Sequence, residues 1–208
     1  SSSTTEDATQ VTSHSVNLTG LQAGRTYYYR VYSKNPGADA AMSSIYALVT
    51  KPATPADIII DNGAASFVGS WSIGTSAGDK YGADYMTAYG NDGTKTATYT
   101  PNIITPGTYK VWEWHPAGSN RDNNVPYTVT YNGGSYTYYV NEQVSGGTWN
   151  LLGSHPFAAG TAGRVAINNA ASGGTVAIAD AIKFSWGVTD TTVQIGRASC
   201  RERVYACV

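Results

Sequence analysis

Hydrophobic and polar residues alternate in short runs along most of the chain. In its first quarter such runs fall at residues 15–18, 26–33 and 44–50, with glycine and proline between them. Successive side chains of a β-strand point to opposite faces, so alternation bounded by turn residues is typical of half-buried strands. This part of the sequence therefore predicts three strands.

The alternation resumes after residue 57 and continues to about residue 186. Short runs such as "DIIIDNG" and "SFVGSWSIGTS" end in Asx or Gly turns, and "VPYTVTYNGGSYTYYV" predicts a hairpin with Asn132-Gly133-Gly134 at its tip. Eight to ten strands without a helical period predict an all-β fold. The expected architecture is an antiparallel β-sandwich or jelly roll, because two packed sheets cover each other's apolar faces.

One predicted strand, within "GTYKVWEWHPAGSNRDNNVPYTV", carries an unusual set of aromatic and ionisable residues. Period-two alternation gives one face Tyr109, Val111, Glu113 and His115, and the other face Lys110, Trp112 and Trp114. The face that begins with Tyr109 is predicted to be core. A buried Glu113 needs a partner, since an unpaired buried charge is costly, and His115 or Arg121 could supply it.

The segment "KPATPAD" predicts an extended linker, because its two prolines hold it semi-rigid. We therefore expect an N-terminal domain at residues 1–52, a linker at 53–56 and a second domain at 57–188. In the first of these, Leu21, Gly24 and Tyr27 resemble the tyrosine corner of a fibronectin type III domain. The resemblance implies an Ig-like sandwich of which only the C-terminal half is present, with the Tyr27 hydroxyl tied to nearby backbone.

Residues 189–208 differ in composition from the rest and are predicted to be a non-native or disordered tail. Both cysteines, Cys200 and Cys207, lie there, and three arginines fall within seven residues. Back-translation of residues 195–204 resembles a common sequencing adapter read through in one frame. The remaining body is free of cysteine, which suits an extracellular protein that relies on packing.

The second domain resembles the golvesin C-terminal-like, or xanthan-lyase carbohydrate-binding-like, family over residues 57–186. The matching motifs, in order, are "DN" at 61–62, "YG" at 81–82, "PGTYKV", "SNRDNNVPYTV", "NGG", "VNEQ", "GGTWNLLG" and "VAIADAIKF". The resemblance implies a noncatalytic β-sandwich attached to secreted bacterial enzymes or surface proteins. It also implies a missing, covalently linked catalytic domain and a secreted, extracellular or cell-surface location.

Composition argues against several other functions. Net charge is −1 and charged residues make up 13% of the chain, so no basic surface for nucleic acid is expected. No apolar run reaches the length of a membrane span. The three histidines are far apart, which argues against a zinc site, and no other cofactor is indicated. The oxygen-rich turns at 61–66 and 90–94 leave a structural calcium open beside their ordinary reading as Asx turns.

Catalysis is the third-ranked interpretation, as a polysaccharide lyase or glycosidase fragment. Glycoside hydrolysis needs two carboxylates across a cleft, and no spacing marks a partner for Glu113. The candidate second carboxylates are Asp122, Glu142 and Asp180, of which Asp180 is expected to accept backbone hydrogen bonds. A lyase would need a base and a charge-neutralising group, which His115, Arg121 and Tyr127 could supply only in an arrangement that the sequence does not indicate.

Sugar recognition is the function that the residue types favour. Aromatic faces pack against pyranose rings, while amides and arginine bind hydroxyl or carboxylate groups. The candidate ligand-binding residues are Trp112, Trp114, Asn120, Arg121, Asn123 and Asn124. The alternative is that the two tryptophans and the loop brace the sandwich, with Trp149 in core or rim packing and Tyr136 and Tyr138 in an exposed strip. We thus expect a glycan-binding accessory module, with a structural or adhesive spacer as the rival.

Overall fold

The computed structural model describes residues 18–34, 41–171 and 175–187, together with the backbone of two strands at 4–7 and 203–207. Its strands are β1 (Thr4–Asp7), β2 (Thr26–Lys34), β3 (Ala41–Met42), β4 (Tyr46–Val49), β5 (Ile58–Asp61), β6 (Ser66–Val68), β7 (Ser72–Gly74), β8 (Tyr85–Tyr89), β9 (Thr96–Tyr99), β10 (Gly107–Trp114), β11 (Val125–Tyr131), β12 (Gly134–Val140), β13 (Asn150–Phe157), β14 (Arg164–Asn168), β15 (Val176–Ala179), β16 (Ala181–Trp186) and β17 (Arg203–Cys207). A 3₁₀ helix spans Asn62–Ala64. The described residues contain no helix long and apolar enough to cross a membrane.

The chain divides into two compact units, Ser1–Thr54 with Asp190–Val208, and Pro55–Thr189. The division falls inside the predicted linker at 53–56. In the first unit the strand order is β1-β17-β2-β3, and β4 also pairs with β2. The predicted strands at 26–33 and 44–50 correspond to β2 and β4, whereas most of the one predicted at 15–18 lies outside the described residues.

The contact expected of a tyrosine corner is present in the first unit. The backbone N–H of Gln22 donates to the Tyr27 hydroxyl at 2.8 Å, so the Tyr27 ring is tied to the chain just before its strand. Identification of this unit as part of a fibronectin type III domain stays a prediction. So does the non-native origin of the tail, in which β17 is the described segment.

The second unit is built from two main antiparallel sheets. The first has the order β13-β10-β16-β5, and the second has the order β12-β11-β14-β9-β6. A smaller sheet, β15-β8-β7, lies beside them. The all-β antiparallel sandwich predicted from the alternation is therefore confirmed. Twelve strands are present in the described part of this unit, more than the eight to ten predicted, because the run "SFVGSWSIGTS" divides into β6 and β7 and no predicted strand covers β8.

The core lies between the two main sheets. Alternate residues of each strand supply it: Tyr109 and Val111 from β10 face Val129 and Tyr127 from β11, and all four are almost fully buried. Phe157 and Trp186 close one end through edge-to-face contacts with Tyr109. The hairpin β11–β12 turns at Asn132-Gly133, where Gly133 has a φ of 108° that other residues rarely adopt. Its predicted tip is confirmed.

Candidate functional site

The outer face of the sheet β13-β10-β16-β5 carries a row of side chains directed away from the core. Register places Trp112 of β10 opposite Lys183 of β16 and Leu151 of β13, and Lys183 opposite Ile59 of β5. The next row contains Lys110 opposite Ser185. We call this surface the open platform; its residues are Ile59, Lys110, Trp112, Leu151, Lys183 and Ser185.

Trp112 is fixed in place on the open platform. Its indole Nε1–H donates to Ser185 Oγ at 2.8 Å, which satisfies its one polar atom. The Lys183 ammonium lies over two indole rings, 5.1 Å from the Trp112 centroid and 4.5 Å from that of Trp149. Such cation–π contacts hold a cation against aromatic faces. Leu151 and Ile59, 51% and 43% exposed, continue the apolar surface on either side.

Trp114 lies on the same face of β10 but is built into the structure. Its Nε1–H donates to the Asp79 backbone carbonyl at 2.9 Å. Its ring packs against Tyr81 and Trp149, with centroids 5.6 and 5.4 Å apart. The segment around Asp79 to Tyr81 therefore covers the end of the sheet at which Trp114 lies. Trp149 belongs to this cluster too, in agreement with the expected rim packing.

The opposite face of β10 ends in a buried ion pair. Glu113 and His115 are each 1% exposed, and His115 Nδ1 lies 2.8 Å from Glu113 Oε2. His115 Nε2 lies 3.0 Å from the Val144 carbonyl oxygen. Both ring nitrogens face acceptors, so both must donate and the imidazole is a cation. Burial alone would lower the pKa of His115, but the hydrogen bond and charge of Glu113 raise it to about 9.

Glu142, which follows β12, lies fully buried near this pair. Its carboxyl accepts from the Tyr127 hydroxyl at 2.8 Å and from the Ile178 backbone N–H at 2.8 Å. Burial raises the pKa of Glu142 to about 8, against the opposing effects of His115 and of these two donors. These buried groups link the end of β10 and the loop after β12 to β11 and β15 inside the domain. Because all of them are buried, they offer no exposed acid or base to a substrate.

Asp180 is also buried and has the structural role expected of it. Its Oδ2 accepts from the Tyr81 backbone N–H at 2.9 Å, and its carbonyl accepts from the Tyr99 hydroxyl at 3.0 Å. Burial, together with the neighbouring Asp61, raises the pKa of Asp180 to about 7, although the Tyr81 N–H opposes that rise. The hydrogen bond to Tyr81 holds the segment that covers Trp114.

The candidate ligand-binding residues of the loop after β10 lie apart from the open platform. Arg121 donates to Asn120 Oδ1 at 3.0 Å and to the Tyr85 hydroxyl at 3.3 Å, and its guanidinium lies 5.6 Å from the Tyr85 ring centroid. It is half-buried, and its contacts are with the small sheet rather than with Glu113 or the open platform. Asn120, Asn123 and Asn124 are exposed. The sequence grouped these four residues with Trp112 and Trp114, whereas the structure gives the two sets different neighbours.

In the oxygen-rich turns at 61–66 and 90–94, aspartate side chains accept hydrogen bonds from neighbouring residues of the chain. Asp61 caps the 3₁₀ helix by accepting from Asn62 N–H, and Asp92 accepts from Thr94, Lys95 and Asn169. These hydrogen bonds hold the pKa of Asp92 well below its usual range. Within the described ranges, no group of three or more His, Cys, Asp or Glu is arranged to hold a metal ion.

The tyrosine strip has one exposed and one engaged member. Tyr136 is exposed, while the Tyr138 hydroxyl lies 2.8 Å from His155 Nε2, and the two tyrosine rings are 4.7 Å apart. Sequence reasoning missed Lys183, Leu151 and Ile59 of the open platform. Their only sequence signal is that each lies at an outward position of its strand, and strand pairing, which brings them beside Trp112, is not readable from the chain.

Comparison with known proteins agrees with this fold. The golvesin C-terminal domain family model matches residues 58–186. A curated xanthan lyase from Bacillus sp. (strain GL1) is 35% identical over 133 residues, which are 61% of this chain and 14% of that protein. The chain thus spans a small part of that relative's length.

Solved structures give the same result. A Paenibacillus xanthan lyase superposes with a TM-score of 0.59 at 28% identity, covering 79% of this chain and 21% of the other. The GH26-CBM35 β-(1,4)-mannanase of Podospora anserina shares the fold with a TM-score of 0.50 at 18% identity, covering 65% of this chain and 28% of the other. The chain, through residues 58–186, belongs to the golvesin C-terminal domain family.

Proposed function

We propose that the second unit is a noncatalytic glycan-binding module that holds an attached enzyme on its polysaccharide. The open platform is the proposed binding surface. The observation that carries the proposal is the Trp112 indole, which its hydrogen bond to Ser185 fixes on the outer side of the sheet, between the exposed Leu151 and the Lys183 ammonium. A fixed aromatic ring loses little conformational entropy when a pyranose packs against it.

The relatives support a role beside an enzyme. Both xanthan lyases are much longer than this chain, and the matched region is a minor part of each. Their names refer to breakdown of a polysaccharide, so a domain that keeps such an enzyme near its polymer fits this context. We extend the proposal to a secreted bacterial parent with a covalently linked catalytic domain, which the resemblance to this family favours.

The candidates of the earlier sequence reasoning take different roles in this proposal. Trp112 is the central contact of the open platform, and Trp114 supports Trp149 from behind through their 5.4 Å ring contact. Arg121 and Asn120 hold the loop against Tyr85. Asn123 and Asn124, which are exposed, are the loop residues free to bind a sugar in a second, separate place.

The test is affinity gel electrophoresis of the full chain through a panel of soluble polysaccharides, among them xanthan. Trp112→Ala should lose at least one polymer that retards the wild type. Tyr139→Ala is the matched control, since Tyr139 is 65% exposed and lies on the outer face of the other sheet. It should bind as the wild type does. An Asn123→Ala/Asn124→Ala variant measures the loop separately and should also bind normally.

The structural or adhesive spacer remains the rival function. It predicts that no polysaccharide of the panel retards the full chain, and that Trp112→Ala and Tyr139→Ala behave alike. Either result would reject the glycan-binding proposal. Loss of binding in the loop variant, with normal binding in Trp112→Ala, would reject the open platform and assign the sugar to the loop.

A further inference from the structure

We infer that the open platform is selective for acidic polysaccharides, whose repeating units carry carboxylates. This inference rests on the proposed glycan-binding function and names the class of its ligand. Its basis is the distribution of charge on the platform. Two ammonium groups, those of Lys110 and Lys183, lie on adjacent rows of the same sheet face and on neighbouring strands.

Neither ammonium group is neutralised by an ion pair within the described residues. The ion pairs found there are Lys95 with Asp92 and His115 with Glu113, and both lie elsewhere. Asp61 of β5 lies in the row of Trp114 and Ala181, which the segment near Tyr81 and Gly82 covers. Asp57 precedes β5 and forms no ion pair with either lysine. The platform is therefore a positively charged area on a module whose acidic residues outnumber its Lys and Arg residues.

The Lys183 ammonium has a defined position on the open platform. It lies over the Trp112 and Trp149 rings, and no residue in the described part of the chain accepts a hydrogen bond from it. An ammonium carries three donors, and a carboxylate is the acceptor that gives them charge-assisted hydrogen bonds. A pyranose packed on the apolar surface of Trp112 or Leu151 would bring a ring carboxylate beside this group. The same residues thus offer a surface for the sugar ring and a cation for its acid.

Lys183 also has a purely structural interpretation, in which it only fills the space between two indoles. Lys110 distinguishes the two interpretations, because it lies beside Ser185 on the open row and makes no described side-chain contact with an aromatic ring. If the only role were to fill the space between the two indoles, Lys183 alone would suffice. Two lysines on one face, flanking an aromatic residue, present two cations to a polymer with repeated negative charges.

The experiment compares three acidic polymers, polygalacturonate, alginate and hyaluronan, with the same polymers after carboxyl reduction. Binding of the full chain is measured by isothermal titration at low and at physiological salt. We expect at least one acidic polymer to bind roughly fivefold or more tightly than its reduced form. The preference should decrease with salt, because the Debye length falls to about 8 Å at physiological ionic strength.

Three variants assign the effect to residues. Lys183→Met keeps the length of the side-chain stem but removes the charge, and it should weaken binding of the acidic polymer by roughly fivefold more than binding of the reduced polymer. Lys183→Arg should retain the preference. Arg164→Gln is the control for net charge, because Arg164 is an exposed cation on the outer face of the other sheet, and it should have no effect. Thermal unfolding of each variant shows that it is folded.

The outcomes separate this inference from the proposed function. Equal affinity for acidic and reduced polymers, with loss of both in Trp112→Ala, would overturn the acidic preference and leave glycan binding intact. Failure of every acidic polymer to bind, with retention of a neutral polysaccharide, would overturn it equally. A preference that Lys183→Met and a Lys110→Met variant leave unchanged would also overturn it, because the charge would then lie elsewhere.

Discussion

Glu113 of β10 and His115, the first residue after that strand, form an ion pair of 2.8 Å with almost no exposure to solvent. The His115 imidazole also reaches the carbonyl of Val144, in the loop that follows β12. The pair therefore connects the end of a central strand to Val144, which is 29 residues farther along the chain. Four predictions concern this end of the sandwich and the platform above it.

The first prediction concerns removal of the imidazole. His115→Ala leaves Glu113 buried without its partner, and breaking a buried ion pair in this way costs about 3 to 5 kcal/mol of unfolding free energy. Urea unfolding of the variant and of the wild type measures the difference. A Glu113→Leu/His115→Leu double variant removes both charges and should recover much of the loss. A cost below about 1 kcal/mol for the single variant would contradict the ion pair.

The second prediction is that the protein becomes less stable as pH rises from about 5 to about 9. His115 has a folded pKa of about 9 against an ordinary value of 6.5, and Glu142 has one of about 8 against 4.5. Between each pair of values the folded state holds a proton that the unfolded state has released. Stability from such a proton is complete below the ordinary pKa and is lost as pH rises through the folded one.

Thermal unfolding at a series of pH values checks this profile. The melting temperature should fall steadily across the window, and Glu142→Gln should flatten the part of the slope between about pH 4.5 and 8. The Gln side chain keeps an oxygen acceptor for Tyr127 or for the Ile178 N–H, so the variant should still fold. A melting temperature that increases from pH 6 to 9 would contradict both assignments.

The third prediction separates the two tryptophans of β10. Trp114→Ala should lower the unfolding free energy by about 3 kcal/mol, because it removes the bond to Asp79 and the packing against Tyr81 and Trp149. Trp112→Ala should cost less, since this ring, also half-buried, has no described contact with another aromatic ring and is held by Ser185 and Lys183. Chemical unfolding of both variants gives the comparison. Equal costs would show that Trp112 is as structural as Trp114.

The fourth prediction concerns Gly146. A side chain there would collide with the backbone nitrogen of Ala117 and with Asp79, so neither neighbour can move aside without loss of their hydrogen bond. Gly146→Ala should destabilise the protein by about 1 to 3 kcal/mol. Gly78→Ala is the matched control, because a Cβ at Gly78 meets open space. It should leave the melting temperature unchanged or slightly raised.

The alternation of β10 made much of this end of the sandwich predictable. Period two correctly gave Glu113 and His115 the same inward face and Trp112 and Trp114 the outward one. The need of a buried carboxylate for a partner then indicated His115 or Arg121, and in the structure the partner is His115. These inferences succeed because they depend on geometry within a single strand and on the energetics of charge burial.

The rest depends on contacts between distant segments. The sequence did not indicate that Asp79 to Tyr81 would cover Trp114, or that Trp149 and Lys183 would meet beside Trp112. Nor did it indicate that Arg121 would bind Tyr85, 36 residues earlier. Strand order and register determine such contacts, and the bulge between Val111 and Trp112, where β10 pairs with β13, shifts the register by a residue. Alternation alone carries no information on either.

The contacts of Asp79 bear on which positions of the loop after β10 tolerate substitution. The Asp79 carbonyl accepts from Trp114, its carboxylate accepts from the Ala117 N–H, and Gly146 and Gly147 pack closely against it. Farther along, the Asp122 N–H donates to the Val176 carbonyl. The backbone N–H groups of Ala117 and Asp122, near the two ends of the loop after β10, are thereby both hydrogen-bonded to other segments of the domain. Exposed positions nearby, such as Asn123 and Asn124, can therefore change without disturbing the fold.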